Sequence, residues 1–442
     1  MSLAEQVKAA GVVGAGGGGF PTHVKLSAKA DTVVANGAEC EPLLHKDAAV
    51  MEHRAGEMIE GMMLSMEAVG AKSGIVGIKA KNAQAVDAVQ AATAGTPISV
   101  HLLGDYYPAG DEYDLVYETT GRLTPPAGIP LNVGVVVCNV ETLVNVARAA
   151  KGQPVTEKTL TVAGAVKEPV TLTVPVGTPF RDVIEAAGGL TSDEPLLCVG
   201  GLMMGQNTED LAAPVTKTTT GIVVLPKGHR VAERKSKPSN QQARIGKSAC
   251  DQCRFCTEFC PRYLLGYPVE PHRVMRSLAF TATDRRFWDE YAALCSACGL
   301  CTLYSCPEEL YPKEACDDSK EVLRQGGFTW TDHASRRGYE VKPHPMRDGR
   351  RIPIRALMRR LRIEQYDHPA HWEDRTVTPN EVRIPLKQGA GVPNEPLVKP
   401  GDRVERGQQI GTIPDGKLGA VIHASIAGTV SQVGLHVVIA RS

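Results

Sequence analysis

Two tandem runs of cysteine carry the clearest chemistry in this sequence. The first run, "CDQCRFCTEFCP", begins at Cys250, and the second, "CSACGLCTLYSCP", begins at Cys295. A C-x2-C-x2-C turn lets three thiolates converge on one cubic iron–sulfur cluster, whereas a fourth, more distant cysteine ligates the neighbouring cluster. The sequence therefore predicts two [4Fe–4S] clusters that are ligated across the two runs. The predicted ligands are Cys250, Cys253, Cys256, Cys260, Cys295, Cys298, Cys301 and Cys306.

Other uses of these cysteines fit the spacing less well. Zinc sites favour two C-x2-C pairs separated by a longer loop, rather than three cysteines in tandem. A disulfide framework requires an oxidising compartment, which nothing in the sequence supports. The second run has four residues before Cys306, one more than the strict pattern, so Cys306 departs from that pattern. Four further cysteines lack partner spacing and are predicted to be small buried apolar residues: Cys40, Cys138, Cys198 and Cys316.

A glycine-rich loop near the start of the chain is the second chemical feature. The stretch "GVVGAGGGGFPTHVKL" runs from Gly11 to Leu26. Glycine has no Cβ, so backbone N–H groups can approach a phosphate or a flat cofactor closely. A flexible linker is the alternative. A dinucleotide-binding fingerprint also fits formally, but it should follow a strand, whereas "LAEQVKAAG" before the loop has helical spacing.

The pattern of the first 150 residues predicts the elements that position this loop. Short apolar strands alternate there with helical segments, which is typical of an α/β layer with a largely parallel sheet. The predicted strands are "TVVAN" at Thr32, "SGIVGIKA" at Ser73, "PISVHLLG" at Pro97 and "VGVVVCN" at Val133.

The remainder of the chain divides into blocks of different character. Residues 158–226 contain β-rich runs and a short amphipathic helix that ends at Gly188. The polar stretch "RVAERKSKPSNQQARIGK" predicts a linker into the cysteine-rich block. Residues 317–380, including "SRRGYE" and "RDGRR", are basic, and we expect solvated faces and contacts between subunits. Residues 381–442 have closely spaced turns that predict a small barrel of short strands.

Composition excludes several classes of function. Lysine plus arginine equals aspartate plus glutamate at 49 each in 442 residues, so nothing suggests a general attraction to nucleic acid or to an anionic membrane. The longest apolar runs are far shorter than the ~20 residues of a membrane-spanning helix. The N-terminus lacks the features of a secretion signal. We therefore expect a soluble, cytoplasmic protein without a transmembrane segment.

Three motifs together resemble a known flavoprotein group. The glycine loop, "NGAECEP" at Asn36 and "NVETLVNV" at Asn139 resemble the NADH-oxidising, flavin-binding subunit of respiratory complex I. They are more similar still to the C subunit of Rnf-type electron transport complexes. The resemblance implies that FMN is bound, with NADH as the electron donor. The implied FMN-binding residues are Gly14, Gly16, Gly17, Gly18, Gly19, Lys25, Asn36, Glu39, Glu41, Asn139, Glu141 and Thr142.

A further segment of the same group is matched in part. "GDEYDLVYETTG" contributes Tyr113 and Glu118 to the implied FMN site, although Val116 replaces a glycine of the family pattern. Phe20 is expected to stack beside the nicotinamide of NADH. No side chain is assigned a catalytic role.

The resemblance also implies the domain organisation. The expected fold is a multidomain α/β plus β protein. Its four domains are an FMN- and NADH-binding α/β domain (1–150), a β-grasp, SLBB-like ligand-binding module (155–230), a helical, ferredoxin-like double [4Fe–4S] domain (240–325) and a barrel-sandwich hybrid domain (381–442).

The order of these domains narrows the expected function. The barrel follows the flavin domain here, whereas it precedes that domain in the C subunit of Rnf complexes. This order, and the continuation "CTLYSCPEELYPKEAC", are similar to those of the cobalamin reductases of propanediol-utilisation microcompartments. The similarity implies an NADH-dependent oxidoreductase that passes electrons through FMN and two clusters to a corrinoid. The implied partners are a corrinoid or a corrinoid adenosyltransferase, and a microcompartment shell or electron-transfer protein.

A binding function without catalysis is the alternative. In that hypothesis the chain is an electron-relay subunit of a larger complex, with the β-grasp module and the barrel as contact modules. The sequence contains no Asp-x-His-x-x-Gly corrinoid-binding motif, and "DHPAHWED" around His368 does not match it. Direct corrinoid binding therefore does not follow from the sequence.

Overall fold

The computed structural model describes residues 1–281, 284–330 and 339–441. Most of the basic stretch "SRRGYE" lies outside the described residues. The first 150 residues form the predicted α/β layer. Its helices are α1 (Leu3–Ala9), α2 (Thr22–Leu26), α3 (Lys46–Val69), α4 (Ala83–Thr93), α5 (Glu112–Thr120) and α6 (Val140–Ala150). Its strands are β1 (Thr32–Gly37), β2 (Ser73–Lys79), β3 (Ile98–Leu103), β4 (Tyr106–Tyr107) and β5 (Val135–Asn139).

The four longer strands form a parallel sheet in the order β3-β2-β1-β5, which confirms the predicted layer. Helices cover the sheet, so the strands are apolar along most of their length, and Val33 and Val34 are fully buried. Helix α3 packs closely on α6 because Gly61 has no side chain; a Cβ there would lie 1.9 Å from the carbonyl oxygen of Leu143. Strands β1 and β5 end side by side, so the segments after them lie at the same edge of the sheet.

A second, mixed sheet follows and has the β-grasp arrangement expected for this block. Its elements are β6 (Glu157–Gly164), β7 (Val170–Pro175), α7 (Phe180–Ala186), β8 (Pro195–Val199), β9 (Gln206–Thr208) and β10 (Gly221–Pro226). The order is β7-β6-β10-β8-β9, with β6 and β10 parallel and the other pairs antiparallel. Leu160, Phe180 and Val183 belong to the core between helix and sheet.

The cysteine-rich block is helical. Its helices are α8 (Arg230–Ser236), α9 (Ser239–Ala249), α10 (Phe255–Glu258), α11 (Pro261–Leu264), α12 (Pro271–Ser277), α13 (Arg286–Asp289) and α14 (Pro312–Gln325). The linker predicted before this block is wrong, because that stretch forms α8 and α9. Helix α8 buries Val231, Ala232 and even Arg234, whose guanidinium finds backbone carbonyl acceptors.

The basic segment after α14 returns to the first domain. Strand β11 (Ile352–Pro353) pairs with β4, and helix α15 (Ile354–Leu361) follows it. Arg347 is buried and lies 2.5 Å from Asp114 and 2.7 Å from Glu118. The expectation of solvated faces is therefore wrong for Arg347, because carboxylates inside the first domain compensate its charge.

The last block confirms the predicted barrel of short strands. These are β12 (Glu381–Pro385), β13 (Glu395–Pro396), β14 (Arg403–Val404), β15 (Gln409–Thr412), β16 (Ile422–His423), β17 (Gly428–Val433) and β18 (His436–Arg441). They form two sheets, β12-β18-β17-β14 and β13-β15-β16. The barrel touches the glycine loop, since the N–H of Ala390 donates to the carbonyl of Gly19 at 3.0 Å.

Four 3₁₀ turns complete the described elements: Pro130–Val133, Glu290–Ala292, Asp348–Arg350 and Glu364–Tyr366. A short π-helical turn at Cys301–Ser305 lies inside the second cysteine run. Across the described ranges, none of the helices is both long enough and apolar enough to cross a membrane.

Candidate functional site

The glycine loop is a closed structure between α1 and α2. The N–H of Gly14 donates to the carbonyl of Phe20 at 2.9 Å, and the N–H of Gly19 donates to the carbonyl of Gly14 at 3.1 Å. The N–H of Ala15 donates to the hydroxyl of Thr142 at 2.9 Å. These bonds are inconsistent with a flexible linker, and the helix before the loop is inconsistent with a strand–glycine–helix dinucleotide motif.

One face of the loop is bare. Within the described part of the chain, a Cβ added to Gly17 or Gly18 would meet no atom within 4 Å, whereas a Cβ on Gly16 would lie 3.2 Å from Asn139. Gly17 has a φ of +109°, a conformation that side chains disfavour. The loop thus leaves open space beside its backbone.

Two buried lysines donate hydrogen bonds to the backbone of the glycine loop. Lys158 and Lys46 both donate to the carbonyl of Ala15, at 2.8 and 3.4 Å. Both also pair with Glu141. Burial opposes the ionised form of Glu141, but the two ammonium groups outweigh it and lower its pKa. Burial lowers the pKa of Lys158 to about 8.

A second group of polar residues connects the β1 and β5 segments. Asn139 donates to both carboxylate oxygens of Asp47, at 3.0 and 2.9 Å. The N–H of Asp47, in the first turn of α3, donates to Glu39 at 2.5 Å. Burial and the neighbouring Asp47 raise the pKa of Glu39 to about 8. The structure thus links the "AECEP" and "NVET" motifs to each other through Asp47.

Three other predicted residues lie around this sheet edge or the loop. Lys25 donates to the carbonyl of Val137 at 2.8 Å, near the end of β5. Asn36, in β1, donates to the carbonyl of Gly110 at 3.0 Å. Phe20 closes the glycine loop and is 36% exposed, so its ring is accessible to a ligand.

Three predicted FMN-binding residues have their contacts elsewhere. Glu41 accepts the N–H groups of Met203 and Met204, each at 2.8 Å, and ties the first domain to the β-grasp module. Tyr113 donates to the carbonyl of Gly128 at 2.5 Å. Glu118 pairs with arginines of the basic segment. These hydrogen bonds and ion pairs lead away from the glycine loop.

The sequence interpretation missed Lys46, Asp47 and Lys158. Lys46 and Asp47 directly follow the "NGAECEPLLH" stretch at the start of α3, so their proximity to a recognised motif was an available signal. Lys158 is in β6 of the next domain, and no local pattern distinguishes it from an ordinary strand residue.

The pKa values of the cysteine thiols indicate which sulfurs are neighbours. Burial raises the pKa of the Cys256 thiol to about 12, with further contributions from the neighbouring sulfurs of Cys306, Cys250 and Cys253. Burial and neighbouring sulfurs also raise the pKa values of Cys260, Cys298 and Cys301, and these three are called, with Cys295, the second group of cysteines. Sulfurs of the two runs therefore lie near one another, and the assignment of each sulfur to one cluster stays a prediction.

The surroundings of the sulfurs fit clusters. N–H groups point at three of them: Gln252 to Cys250 at 3.1 Å, Leu310 to Cys306 at 3.3 Å and Ala297 to Cys295 at 3.4 Å. Such hydrogen bonds favour the thiolate and tune a bound cluster. The tight turns need left-handed residues, which are Gln252, Arg254, Ala297 and Gly299.

The second group of cysteines lies against the first domain. The hydroxyl of Tyr107 donates to the carbonyl of Cys298 at 2.7 Å. Arg262, two residues after Cys260, pairs with Asp111 at 2.8 Å and lies over the ring of Tyr113. The flavin-type domain and the second cysteine group therefore share a direct, buried contact.

The remaining cysteines mostly behave as expected. Cys138, Cys198 and Cys316 are buried, which confirms their prediction, whereas Cys40 is half-buried. Cys316 packs beside Cys295 and Cys306.

Comparison with known proteins assigns each of these regions. Residues 7–148 match the Nuo51 FMN-binding domain, 159–207 the SLBB domain, 249–311 the 4Fe-4S dicluster domain and 373–442 the RnfC barrel sandwich hybrid domain. The fold and its sites thus define a multidomain flavin and iron–sulfur oxidoreductase, with an FMN-binding domain and a dicluster domain in one chain.

Relatives over nearly the whole length identify the family. "Cobalamin reductase PduS" of Citrobacter freundii is 40% identical over 98% of this chain and 95% of its own length. The protein of the same name from Salmonella typhimurium is 40% identical over 98% and 94%. The C subunit of the Na(+)-translocating ferredoxin:NAD(+) oxidoreductase complex of Acetobacterium woodii is 35% identical over 65% and 62%. The chain belongs to the PduS cobalamin reductase family.

Proposed function

We propose that this protein oxidises NADH and delivers the electrons, by way of FMN and two [4Fe–4S] clusters, to the cobalt of a corrinoid. The observation that carries the proposal is the contact between the FMN-type domain and the second group of cysteines, through Tyr107 and Cys298. When bound, FMN takes two electrons from NADH and releases them singly, which suits clusters that carry one each. The names of the full-length relatives support a corrinoid as acceptor.

The glycine loop is the proposed FMN platform. Gly17 and Gly18 offer bare backbone to the cofactor, while Thr142, Lys46 and Lys158 hold the loop in this shape. The ammonium of Lys25 and the exposed ring of Phe20 are the groups proposed to contact the cofactor and the nicotinamide. We propose an FMN-binding role for the other predicted residues around the loop, namely Gly14, Gly16, Gly19, Asn36, Glu39, Asn139 and Glu141. For Glu41, Tyr113 and Glu118 this role rests on the family resemblance alone, since their own contacts lead away from the loop.

The cysteines are the proposed cluster ligands. Cys250, Cys253, Cys256 and Cys306 hold the first cluster, and Cys260, Cys295, Cys298 and Cys301 hold the second. The second cluster is then the one next to the FMN domain. Cys253 is exposed, so the first cluster lies near solvent, where electrons can leave the protein.

The remaining partners and the location follow from the same proposal. The product is a reduced corrinoid for a corrinoid adenosyltransferase, which is the proposed protein partner. The family resemblance supports a place in the cytoplasm, inside a microcompartment, with a shell or electron-transfer protein as a further contact.

Anaerobic reconstitution tests this function. The purified protein is loaded with FMN, iron and sulfide and mixed with NADH and cob(II)alamin, and cob(I)alamin is followed by absorbance. We expect NADH-dependent cob(I)alamin formation that is lost in Cys298→Ala. No cob(I)alamin from a fully loaded protein that reduces an artificial dye would contradict the corrinoid as acceptor.

An electron-relay role within a larger complex is the second candidate function. The observation that favours it is the RnfC-type barrel at residues 373–442, together with the relatives that are subunits of larger complexes. A relay without its own NADH site would carry both clusters but would reduce no dye with NADH. Dye reduction by the isolated protein would exclude this candidate.

A further inference from the structure

A cleft separates the β-grasp module from the second cysteine run and lies outside the glycine loop. It is open to solvent and has about 40 Å³ of space for water-sized groups. Its walls come from three places: the loop Met203–Gly205, the end of α8, and the segment from Gly299 to the start of α14. The lining residues on the last two walls are Arg234, Lys235, Gly299, Thr302, Leu303, Lys313 and Glu314.

The cleft is positively charged. Three cations line it, against the single carboxylate of Glu314, which accepts the Thr302 hydroxyl at 2.7 Å. The ammonium of Lys235 donates to the carbonyls of Leu202 and Gly205. Lys313 faces Asp317 at 2.6 Å and remains partly exposed. Arg234 also lies 3.4 Å from the carboxylate of Glu309, so two of the three cations have a carboxylate partner. Among the described residues Lys235 has none, and a bound anion would compensate its charge.

Arg234 provides the second observation. It is 9% exposed, and its Nη2 donates to the carbonyls of Thr302 and Leu310, each at 2.9 Å. Its Nε is buried and has no hydrogen-bond partner among the residues that the structure describes. A buried donor costs free energy when it is left unpaired, so a guanidinium with a spare donor on the wall of a basic cleft indicates a missing acceptor.

The position of the cleft indicates which ligand would carry the bound anion. Gly299, Thr302 and Leu303 lie between cluster ligands Cys298 and Cys306, so a ligand in the cleft lies next to the second cluster. Met204, at the rim, is 56% exposed, and an exposed methionine suits the apolar body of a large ligand. Arginine and lysine together are the side chains that bind phosphate groups.

We propose that this cleft binds a phosphate group of the electron acceptor. The inference rests on the proposed function, in which the acceptor is a corrinoid, because the nucleotide tail of cobalamin carries one phosphodiester. Arg234, Lys235 and Lys313 hold the phosphate, and Met204 contacts the remainder of the ligand. Free phosphate and the phosphates of NADH share this chemistry, and the test must separate the three sources.

Binding measurements on the loaded protein make that separation. Cobalamin is compared with cobinamide, which has the same corrin ring but lacks the phosphate-containing tail. Inorganic phosphate and NADH are titrated separately. The variants are Lys235→Met and Lys313→Met. Arg324→Met is the matched control, since it removes an exposed charge from the same helix as Lys313 but outside the cleft.

We expect the wild-type protein and Arg324→Met to bind cobalamin about tenfold more tightly than cobinamide, the effect of one charge-assisted contact. In Lys235→Met and Lys313→Met this preference should fall to near one, with cobinamide affinity unchanged and FMN and iron contents intact. Inorganic phosphate should compete with cobalamin in the wild-type protein and in Arg324→Met, but not in the two cleft variants.

Three results would overturn the proposal: a cobalamin preference that survives in both variants, phosphate that does not compete, or variants that lose affinity for NADH instead. If cobalamin is not reduced at all but phosphate binding still depends on Lys235 and Lys313, the proposed acceptor is wrong while the anion site in the cleft is supported.

Discussion

At the scale of single residues, the glycine loop derives its shape from buried charges. Lys46, Lys158 and Glu141 are all but inaccessible to solvent, so each depends on the others for compensation. Breaking such a group leaves a buried charge unpaired, which typically costs about 3–5 kcal/mol. The network therefore fixes Ala15 and, with it, the backbone of Gly16 to Gly18.

Gly17 and Gly18 allow the loop's proposed role to be tested. Both face open space, but only Gly17 has a left-handed φ, at +109°. We expect Gly17→Ala to weaken FMN binding about tenfold or more, because an added Cβ is strained there by about 1–2 kcal/mol and also enters the cofactor space. Gly18→Ala should weaken FMN binding less, because it adds a methyl group to the open face without backbone strain. FMN affinity is measured by fluorescence titration of the apoprotein.

Iron and sulfide analysis of the same two variants is the control, because the clusters belong to another domain and should be retained. Wild-type FMN affinity in both variants would mean that the open face of the loop is not the FMN face.

The residue scale also shows what the sequence could not provide. The glycine loop, "AECEP" and "NVET" were recognisable because their residues are adjacent in the chain. Lys158 was not, because it reaches Ala15 from a strand 143 positions away in a different domain. Glu41 was recognisable as part of its motif, but its contact with Met203 and Met204 depends on how two domains pack.

At the scale of elements, the two cysteine runs are interdependent. In the predicted ligation neither run supplies four sulfurs to one cluster, and sulfurs of the two runs do lie near one another. The short helices α10 and α11 and the π-helical turn after Cys301 set this geometry. The extra residue before Cys306 falls within that π-helical turn.

Single cysteine variants test the crossing. We expect Cys306→Ala to remove the same cluster as Cys250→Ala, and Cys260→Ala to remove the same cluster as Cys298→Ala. Iron and sulfide contents should fall by about half in each case. The EPR spectrum of the reduced protein should be alike within each pair and different between pairs. A match between Cys306→Ala and Cys298→Ala would instead indicate that each run holds its own cluster.

Element prediction from sequence succeeded where periodicity was strong. The four parallel strands and the barrel followed from apolar runs and turn signals. The linker expected at residues 230–247 is wrong, because the apolar positions of α8 and α9 are few and most of their side chains are polar. Arg347 was expected on the surface. The carboxylates that compensate its charge in the interior are more than 200 residues earlier in the chain, so no local pattern indicated them.

At the scale of the whole molecule, several domains contribute buried side chains to a common hydrophobic core. One buried cluster contains Leu44 from the flavin-type domain, Cys198 from the β-grasp module, Leu303 from the cysteine-rich block and Leu357 from α15. The barrel is held differently. Lys217, of the β-grasp module, donates to the carbonyls of Gly11 at 2.7 Å and Val421 at 2.9 Å, so one ammonium group joins three domains.

Lys217 makes docking of the barrel sensitive to pH. Burial lowers its pKa from 10.5 to about 7. Below pH 7 the lysine is protonated in both the docked and the unfolded chain, so the docked state bears the full free-energy cost of burying a charged ammonium group. Between about pH 7 and 10.5 the unfolded chain binds more protons, so this contribution to stability rises with pH, by up to about 1.4 kcal/mol per pH unit.

Lys217→Met removes this dependence. Relative to the wild-type protein, the barrel of the variant should be docked more stably near pH 7, and this difference in stability should shrink as the pH rises to 10. Hydrogen exchange of the barrel, compared at each pH between variant and wild type, measures the difference. Lys387→Met, on the exposed rim of the same junction, is the control and should show no such trend. A pH-independent difference for Lys217→Met would contradict a buried, titrating lysine.

The central claim is that electrons pass from NADH through the FMN domain and the second cluster to a corrinoid. Its most direct test is a single-turnover measurement under anaerobic conditions, in which NADH is mixed with loaded protein and excess cob(II)alamin. Because NADH supplies two electrons and each cobalt takes one, we predict two cob(I)alamin per NADH in the wild-type protein. In Cys298→Ala, which retains FMN, NADH should still reduce the protein but cob(I)alamin should not form. Equal rates of cob(I)alamin formation in both proteins would contradict a path through the second cluster.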